Sequence, residues 1–325
     1  MNALCALLAI AAATVQDRPS DDSTLRKLER DIAAVVEKVR PSVVRVTAML
    51  GSDPLFGPRR RILSGVVYGG EGHVVTEASG VEGAEDLSVE AAGDVYKARH
   101  VASDVRTGVA VLHVPARGLV PAAFVSEPCK PGAIAVTVGY PFGAPGASFG
   151  SIAGSGRSIL VGGRRYDDMI QVTAPVHPGD CGGFVADAAG RFVGLVHSLY
   201  GAEPGRSAAP GAGFAVPAEW VKFSADRIIR HGRMVRGWLG VTVRAAGRPE
   251  GGVRILRVDP DGPAARAGLA PEDVLVAFDG RPVRNPAELQ WKVARFEEPT
   301  PVRVTLLRGE ERLELEVRVE IDPLK

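Results

Sequence analysis

A series of short β-branched segments runs from Ser42 to Leu199 and limits what this chain can fold into. The segments include SVVRVTAML, GHVVTEA, AIAVTVGYP and FVGLVHSL, and Gly, Pro and Asp separate them at intervals of roughly ten residues. The gaps are too short to hold the helices that parallel strands require. The pattern therefore predicts an antiparallel barrel or sandwich.

Two helical segments flank this series of strands. Apolar residues recur every three or four positions between Asp22 and Arg40, which predicts a helix that Pro41 ends. A second helix is predicted over residues 217–231, because a proline opens it and Gly232 follows it. From Gly237 to about Glu320 the chain alternates strands with two short helices, which is enough for a small independent module.

Charge and motifs argue against several classes of function. The chain has 46% hydrophobic residues, 24% charged residues and a net charge of +1, so it offers no field for nucleic acid. The DPDG segment at Asp259 lacks the acidic ligands of a calcium loop, and GSGRS at Gly154 lacks the Gly-Lys-Ser/Thr of a phosphate loop. We therefore predict no metal, no cofactor and no nucleic-acid partner.

The first 16 residues predict export. An apolar run from Ala3 to Ala13 is too short to span a bilayer and ends in an A-x-A site, as in a secretory signal peptide, although no Lys or Arg precedes it. We expect residues 1–16 to be removed and no stable membrane span to remain. Removal leaves Cys129 and Cys181, which we expect to be free thiols because two cysteines make no disulfide framework.

The order of the motifs resembles the HtrA (Deg) family of exported serine proteases. The resemblance rests on eight collinear segments: EKVRPSVVRV, GHVVTEASGV, DVRTGVAVLHV, TVGYPFG, IQVTAPVHPGDCGG, GAGFAVPAEWV, VRGWLGV and DGPAARAGLAPEDVLVAFDG. It implies a mostly β chain with a helical segment at 17–41, a trypsin-like double β-barrel over 42–232 and a small α+β PDZ domain over 237–321. It also implies a periplasmic or other extracytoplasmic location, polypeptide or peptide C-terminus ligands, and a homotrimer.

All three catalytic positions of that family differ in this chain. The histidine position holds Ser79, the aspartate position holds Gly108 and the nucleophile position holds Cys181. The resemblance places the oxyanion hole at Gly179 and Cys181, where Gly182 leaves room for a tight turn. PGDCGG is also similar to the nucleophile segment of the chymotrypsin-fold cysteine proteases of positive-strand RNA viruses.

Loss of the histidine weighs more than exchange of the nucleophile. A cysteine can replace a serine because a few per cent of a thiol is ionised near neutral pH. Neither Ser79 nor Gly108 can accept or orient a proton, and removing the histidine from such a triad costs on the order of a million-fold in turnover. We therefore expect a catalytically inactive protease homologue, a pseudoprotease that binds polypeptides.

Two other hypotheses stay open at this point. The chain is a cysteine endopeptidase if another base serves Cys181; His177 is the candidate, whereas His73 is expected roughly 15–20 Å away along its strand. His197 is interpreted as a partly exposed strand residue near the specificity pocket. The other hypothesis is a thiol redox sensor at Cys181, and a small buried hydrophobe would explain the same cysteine.

In the PDZ module, RGWLGV resembles the carboxylate-binding loop that receives a peptide C-terminus. The predicted N–H donors are those of Trp238, Leu239 and Gly240. The predicted pocket for the last side chain consists of Leu239, Val241, Leu289 and Val293. Membership of the domain core explains Val241 and Val293 equally well.

Overall fold

The computed structural model describes residues 23–53, 57–199 and 213–322. The predicted signal peptide, residues 1–16, and the first part of the predicted N-terminal helical segment lie outside these ranges. Within them, no helix is long and apolar enough to cross a membrane. The described chain is mostly β, as the sequence predicts.

Two helices and seven strands form the first unit. Helix α1 (Thr24–Val39) begins at Ser23, whose hydroxyl accepts a hydrogen bond from the Arg26 N–H, and it ends just before Pro41. The elements that follow are β1 (Val43–Asp53), β2 (Gly57–Tyr68), β3 (His73–Glu77), α2 (Ala78–Val81), β4 (Asp86–Ala91), β5 (Asp94–Lys97), β6 (Arg99–Asp104) and β7 (Val109–His113). Their antiparallel sheet has the order β5-β4-β1-β2-β3-β7-β6 and packs around Val, Ala and Leu side chains.

Six strands of the second unit close into an antiparallel barrel. They are β8 (Ile134–Gly139), β9 (Gly146–Val161), β10 (Arg164–Val172), β11 (Phe184–Ala186), β12 (Phe192–Leu199) and β13 (Gly213–Pro217), in the order β10-β13-β12-β11-β8-β9. Helix α3 (Ala218–His231) follows and packs on β7 and β12. It ends at Gly232, which is left-handed at φ 69°, as the Gly at a helix end predicts.

The C-terminal unit is a six-stranded antiparallel sheet with two helices and one extra strand. Its elements are β14 (Gly237–Trp238), β15 (Val241–Ala245), β16 (Val253–Val258), α4 (Pro263–Arg266), β17 (Val274–Phe278), β18 (Arg281–Pro282), α5 (Pro286–Ala294), β19 (Thr300–Arg308) and β20 (Glu311–Ile321). The sheet order is β14-β20-β19-β17-β16-β15, with β18 paired to β17. Strands β14 and β15 therefore lie at opposite ends of the sheet.

A shared core at the junction of the first two units positions the site. Val75 and Val109 from the first sheet pack in one cluster with Phe184 and Leu195 from the barrel. The end of β3, the β6–β7 turn and the loop before β11 meet at this junction. These are the three places that carry the predicted catalytic positions.

Candidate functional site

Cys181 lies in a tight turn that leads into β11. Its carbonyl accepts a hydrogen bond from the Ser64 N–H at 2.9 Å, and its side chain packs against the core of the first sheet. Gly179 and Gly182 have φ of 102° and 84°, and a Cβ at either would meet a backbone oxygen at 2.2 Å. The turn therefore requires glycine on both sides of the Asp-Cys pair.

Ser79 lies in the first turn of α2, which follows β3 directly. Glu77 caps this short helix: its carboxylate accepts hydrogen bonds from the Ser79 N–H, the Ser79 hydroxyl and the Gly80 N–H, each at 2.9 Å. Glu77 is 3% exposed, and burial raises the pKa of its carboxyl. The Ser79 hydroxyl is thus a donor to a buried carboxyl group and not a proton acceptor for Cys181.

Gly108 lies in the β6–β7 turn beside α2. Its carbonyl accepts a hydrogen bond from the Ala78 N–H at 2.8 Å, and its backbone is left-handed at φ 76°. A Cβ at this position would lie 2.4 Å from Nε2 and 2.7 Å from Cδ2 of His197. The space that a side chain at position 108 would need is therefore filled by an imidazole.

The interpretation of His197 as a partly exposed strand residue is wrong. His197 is 3% exposed, and the pairing of β12 with β13 is irregular between Val196 and Ser198. This β-bulge disturbs the alternation of the strand and directs the ring inward, toward Gly108 and Tyr166. The ring centroids of Tyr166 and His197 are 4.2 Å apart.

The His197 ring has no hydrogen-bond partner among the described residues, on either nitrogen. Its Nε2 lies 3.9 Å from Oε1 of Glu77, beyond hydrogen-bond distance. Burial lowers the pKa of His197 to about 4. The imidazole is neutral at physiological pH, and it packs as an apolar ring.

The surroundings of Cys181 disfavour the thiolate. Burial first, and then the carboxylates of Glu77 and Asp180, raise the pKa of the Cys181 thiol to about 12. Reactive cysteines lie beside cations or helix N-termini that lower the pKa. Cys129 and Cys181 are both free thiols, as predicted.

His177, the predicted alternative base, is held by Asp180. Its backbone N–H donates to Oδ2 of Asp180 at 2.8 Å, and its Nδ1 lies 3.5 Å from the same oxygen. Its ring packs beside the exposed Phe142 ring, with the centroids 5.5 Å apart. No hydrogen bond joins His177 to Cys181 in the part of the chain that the structure describes.

The predicted oxyanion hole keeps its free donors. Within the described residues, the N–H groups of Gly179 and Cys181 donate to no backbone carbonyl, whereas those of the neighbouring Asp180 and Gly182 donate to His177 and Val196. Two unused N–H donors in one turn are what an oxyanion hole requires. The oxyanion hole at Gly179 and Cys181 therefore remains a prediction.

The loop between β14 and β15 has a comparable pair of free donors. The carbonyls of Leu239 and Gly240 accept hydrogen bonds from Ala264 and Asp259, whereas their N–H groups donate to no acceptor in the described ranges. Gly240 is left-handed at φ 76°, which a side chain there would strain. The loop lies next to the open edge of β15, which pairs only with β16.

The predicted pocket residues divide into two groups. Leu239, Leu289 and Val293 are buried in the core of the C-terminal unit, and Val241 packs against that core while partly exposed. Helix α5 lies beside both β14 and β15. Trp238 is partly buried and pairs with Glu320 of β20.

Two further residues lie beside the predicted catalytic positions: Glu77, which the sequence analysis did not single out, and His197, which it interpreted as partly exposed. Glu77 could have been identified from the sequence as a helix N-cap, because an acidic residue before Ala-Ser-Gly is typical of that position. No sequence pattern indicates that the His197 side chain points inward, because a β-bulge interrupts the regular alternation of the strand. We found no group of three or more His, Cys, Asp or Glu side chains suited to a metal ion in the described ranges.

Two family models match the chain: a trypsin-like peptidase domain at residues 63–195 and a PDZ domain at residues 237–319. Protease Do-like 1, chloroplastic, of Arabidopsis thaliana is 30% identical over 93% of this chain and 75% of its own length. A DegP-like periplasmic serine endoprotease of Brucella suis is 31% identical over 80% of this chain. The chain spans about half, 52%, of that relative's length.

Solved structures of HtrA-type proteases superpose along most of the chain. The structure of the HtrA-type protease AlgW with a tripeptide has a TM-score of 0.78 and 29% identity, and it covers 90% of this chain and 98% of its own. The serine endoprotease DegS of Escherichia coli is 27% identical over 81% of the chain. The protein belongs to the HtrA family, with a trypsin-like peptidase domain followed by a PDZ domain.

Proposed function

We propose that the protein is an exported HtrA-family pseudoprotease that binds polypeptides through its barrel cleft and its PDZ domain. The observation that carries the proposal is the absence of a proton acceptor for Cys181 among the described residues. Several relatives are named as periplasmic endoproteases, which supports export of this protein. Assembly into a homotrimer is part of the same proposal by family resemblance.

Hydrolysis needs a thiolate and then a protonated leaving amine. With a pKa of about 12, the Cys181 thiol is almost wholly protonated at neutral pH. The neighbours that could take its proton are unsuited, because Ser79 donates to Glu77 and His197 lies behind Gly108 without a hydrogen bond. The N–H donors of the oxyanion turn alone stabilise a bound carbonyl but cannot complete the reaction.

The same contacts weigh against the two alternatives. A cysteine endopeptidase would need His177 beside Cys181, but Asp180 holds that histidine. A thiol sensor requires an accessible thiol with a lowered pKa, whereas burial raises the pKa of Cys181. Retention of the fold and the binding surfaces without the proton-transfer group favours polypeptide binding.

Peptide binding is supported by the β14–β15 loop and the open edge of β15. The carboxylate of a bound C-terminus would accept hydrogen bonds from the free N–H groups of Leu239 and Gly240, and the peptide would add a strand beside β15, facing α5. The solved AlgW complexes contain a tripeptide or a decapeptide, which supports the same mode of binding here. The ligand class is a polypeptide with an apolar C-terminal residue.

A cleavage assay tests the inactive site. The mature protein is incubated with unfolded casein and with a thiol-directed activity probe, beside Cys181→Ala. We expect no cleavage and no labelling of either protein. Casein cleavage that disappears in Cys181→Ala would refute the pseudoprotease proposal.

A binding assay tests the PDZ loop. Two labelled peptides that end in valine are compared, one with a free C-terminal carboxylate and one with a C-terminal amide. We expect the free acid to bind at least about tenfold more tightly, because charge-assisted hydrogen bonds to N–H groups are lost in the amide. Equal affinities would exclude carboxylate recognition by this loop.

A further inference from the structure

A second groove lies on the PDZ domain, on another face of α5 from the predicted peptide pocket. Its volume is about 740 Å³, and it runs between α5 and the β17–β18 hairpin. Three aromatic side chains line it, namely Phe278, Trp291 and Phe296. The groove does not include Leu289 or Val293, so it is separate from the pocket beside β15.

Basic side chains outnumber acidic ones in this groove. The basic residues are Arg281, Arg284, Lys292 and Arg295, and the acidic ones are Asp279 and Glu288. The lining thus has a net charge of +2, whereas the whole chain has +1. Positive charge is concentrated on one part of a nearly neutral protein.

The acidic groups do not neutralise this charge. Glu288 is engaged as part of the cap of α5: it accepts a hydrogen bond from the Arg284 N–H at 2.9 Å, and its other oxygen lies 3.7 Å from the Arg284 guanidinium. In the described part of the chain, the side chains of Arg281, Lys292 and Arg295 form no ion pair or hydrogen bond. Three cations beside an aromatic surface are therefore available to a ligand.

We propose that this groove binds an acidic polypeptide segment that carries a large aromatic or aliphatic side chain. The apolar side chain packs on Trp291 and Phe296, while neighbouring Asp or Glu residues pair with the basic side chains. This site goes beyond the proposed function, which places a peptide C-terminus beside β15, and it needs no terminal carboxylate.

A polypeptide fits these observations better than a nucleic acid does. Single-stranded nucleic acids also combine aromatic stacking with basic side chains. However, Asp279 and Glu288 lie within the groove, where they would repel a continuous phosphate backbone. Carboxylates of a peptide can be spaced to avoid both.

The test uses the full mature chain and a fluorescein-labelled octapeptide of Asp and Glu around a single Phe, amidated at its C-terminus. We expect saturable binding by fluorescence anisotropy that weakens as NaCl rises from about 50 to 300 mM. Arg281→Glu with Lys292→Glu should weaken binding about tenfold, since each exposed pair contributes up to about 1 kcal/mol. Arg281→Gln with Lys292→Gln should give a smaller loss in the same direction.

The matched control is Arg312→Glu with Arg318→Glu, two exposed basic residues on β20 of the same domain. It should bind the acidic peptide within about twofold of the native protein. The free-acid valine peptide should bind both variants normally, so failure of the β15 site would be seen separately. Equal affinity of the two variants, no saturable binding, or tighter binding of a single-stranded decanucleotide would overturn the proposal.

Discussion

Three buried residues around Cys181 determine its chemistry: Glu77, Asp180 and His197. Two are carboxyl groups, which oppose ionisation of the thiol, and the third is a neutral imidazole that packs instead of hydrogen bonding. A trypsin-like site needs the opposite arrangement, with an imidazole between the nucleophile and a carboxylate. In the part of the chain that the structure describes, none of these three side chains forms a hydrogen bond with the Cys181 thiol.

His197 also fills the space that a side chain at position 108 would need. We expect Gly108→Asp to lower the free energy of unfolding by about 3 kcal/mol, from overpacking against the imidazole and from the left-handed backbone. In a His197→Ala background the same substitution should cost only about 1 kcal/mol, the part due to the backbone. Urea denaturation of the four proteins measures this coupling.

Gly118→Asp is the matched control for the backbone contribution. Gly118 is left-handed at φ 74°, and a Cβ there would meet nothing within 4 Å. Gly118→Asp should lower the free energy of unfolding by about 1 kcal/mol, both in the native protein and in His197→Ala. Additive effects of Gly108→Asp and His197→Ala would mean that the imidazole does not fill the space of the missing side chain.

The sequence predicted the positions of Ser79, Gly108 and Cys181 because motif order places them without knowledge of side-chain direction. It could not predict the direction of His197, because a bulge of one residue reverses which face a strand residue occupies. It also could not distinguish core from pocket at Val293, since both environments select an apolar residue. The structure buries Val293 in the core of its domain.

At the scale of elements, short helices hold both candidate sites in place. Glu77 caps α2 and so fixes Ser79, and Asn285 caps α5 and so fixes the wall of two grooves. Oδ1 of Asn285 accepts a hydrogen bond from the Glu288 N–H at 2.9 Å. Glu288 in turn accepts one from the N–H of Arg284, the residue before the N-cap, which fixes the segment that enters α5.

Loss of this cap should destabilise α5. It should also weaken ligand binding both in the pocket beside β15 and in the second groove, because α5 lines both. We expect Asn285→Ala to lower the free energy of unfolding by about 1 kcal/mol, because a backbone N–H loses its acceptor. Asn285→Asp keeps an acceptor oxygen and should restore most of that loss. Chemical denaturation compares the three proteins, and equal losses for Ala and Asp would exclude the cap as the cause.

At the scale of the whole molecule, α5 and α3 join the PDZ domain to the barrel. The Trp291 ring packs edge-on against Trp220 with a centroid distance of 4.6 Å, and it also contacts Phe223 at 5.3 Å. A buried ion pair between Arg236 and Asp104 lies in the same interface. Because Ser224 of α3 donates to Asp104 at 2.7 Å, the interface extends to the turn that carries Gly108.

Removing the indole ring of Trp291 should allow the barrel and the PDZ domain to unfold separately. We expect Trp291→Ala to lower the free energy of unfolding by about 2 kcal/mol, below the loss for a fully buried Trp, and to resolve two calorimetric transitions. Leu256→Ala is the control, since Leu256 is 45% exposed on β16. One unchanged transition in Trp291→Ala would show that the aromatic contact does not couple the domains.

The protonation state of the Cys181 thiol decides whether this residue can act as a nucleophile. Thiolate absorbance is followed between about pH 5 and 9.5 in Cys129→Ser and in Cys129→Ser with Cys181→Ser, and the difference isolates Cys181. With a pKa of about 12, Cys181 should form no detectable thiolate across this range. An ionisation midpoint below about pH 8 would contradict it, because a neighbouring group would then be stabilising an active thiolate.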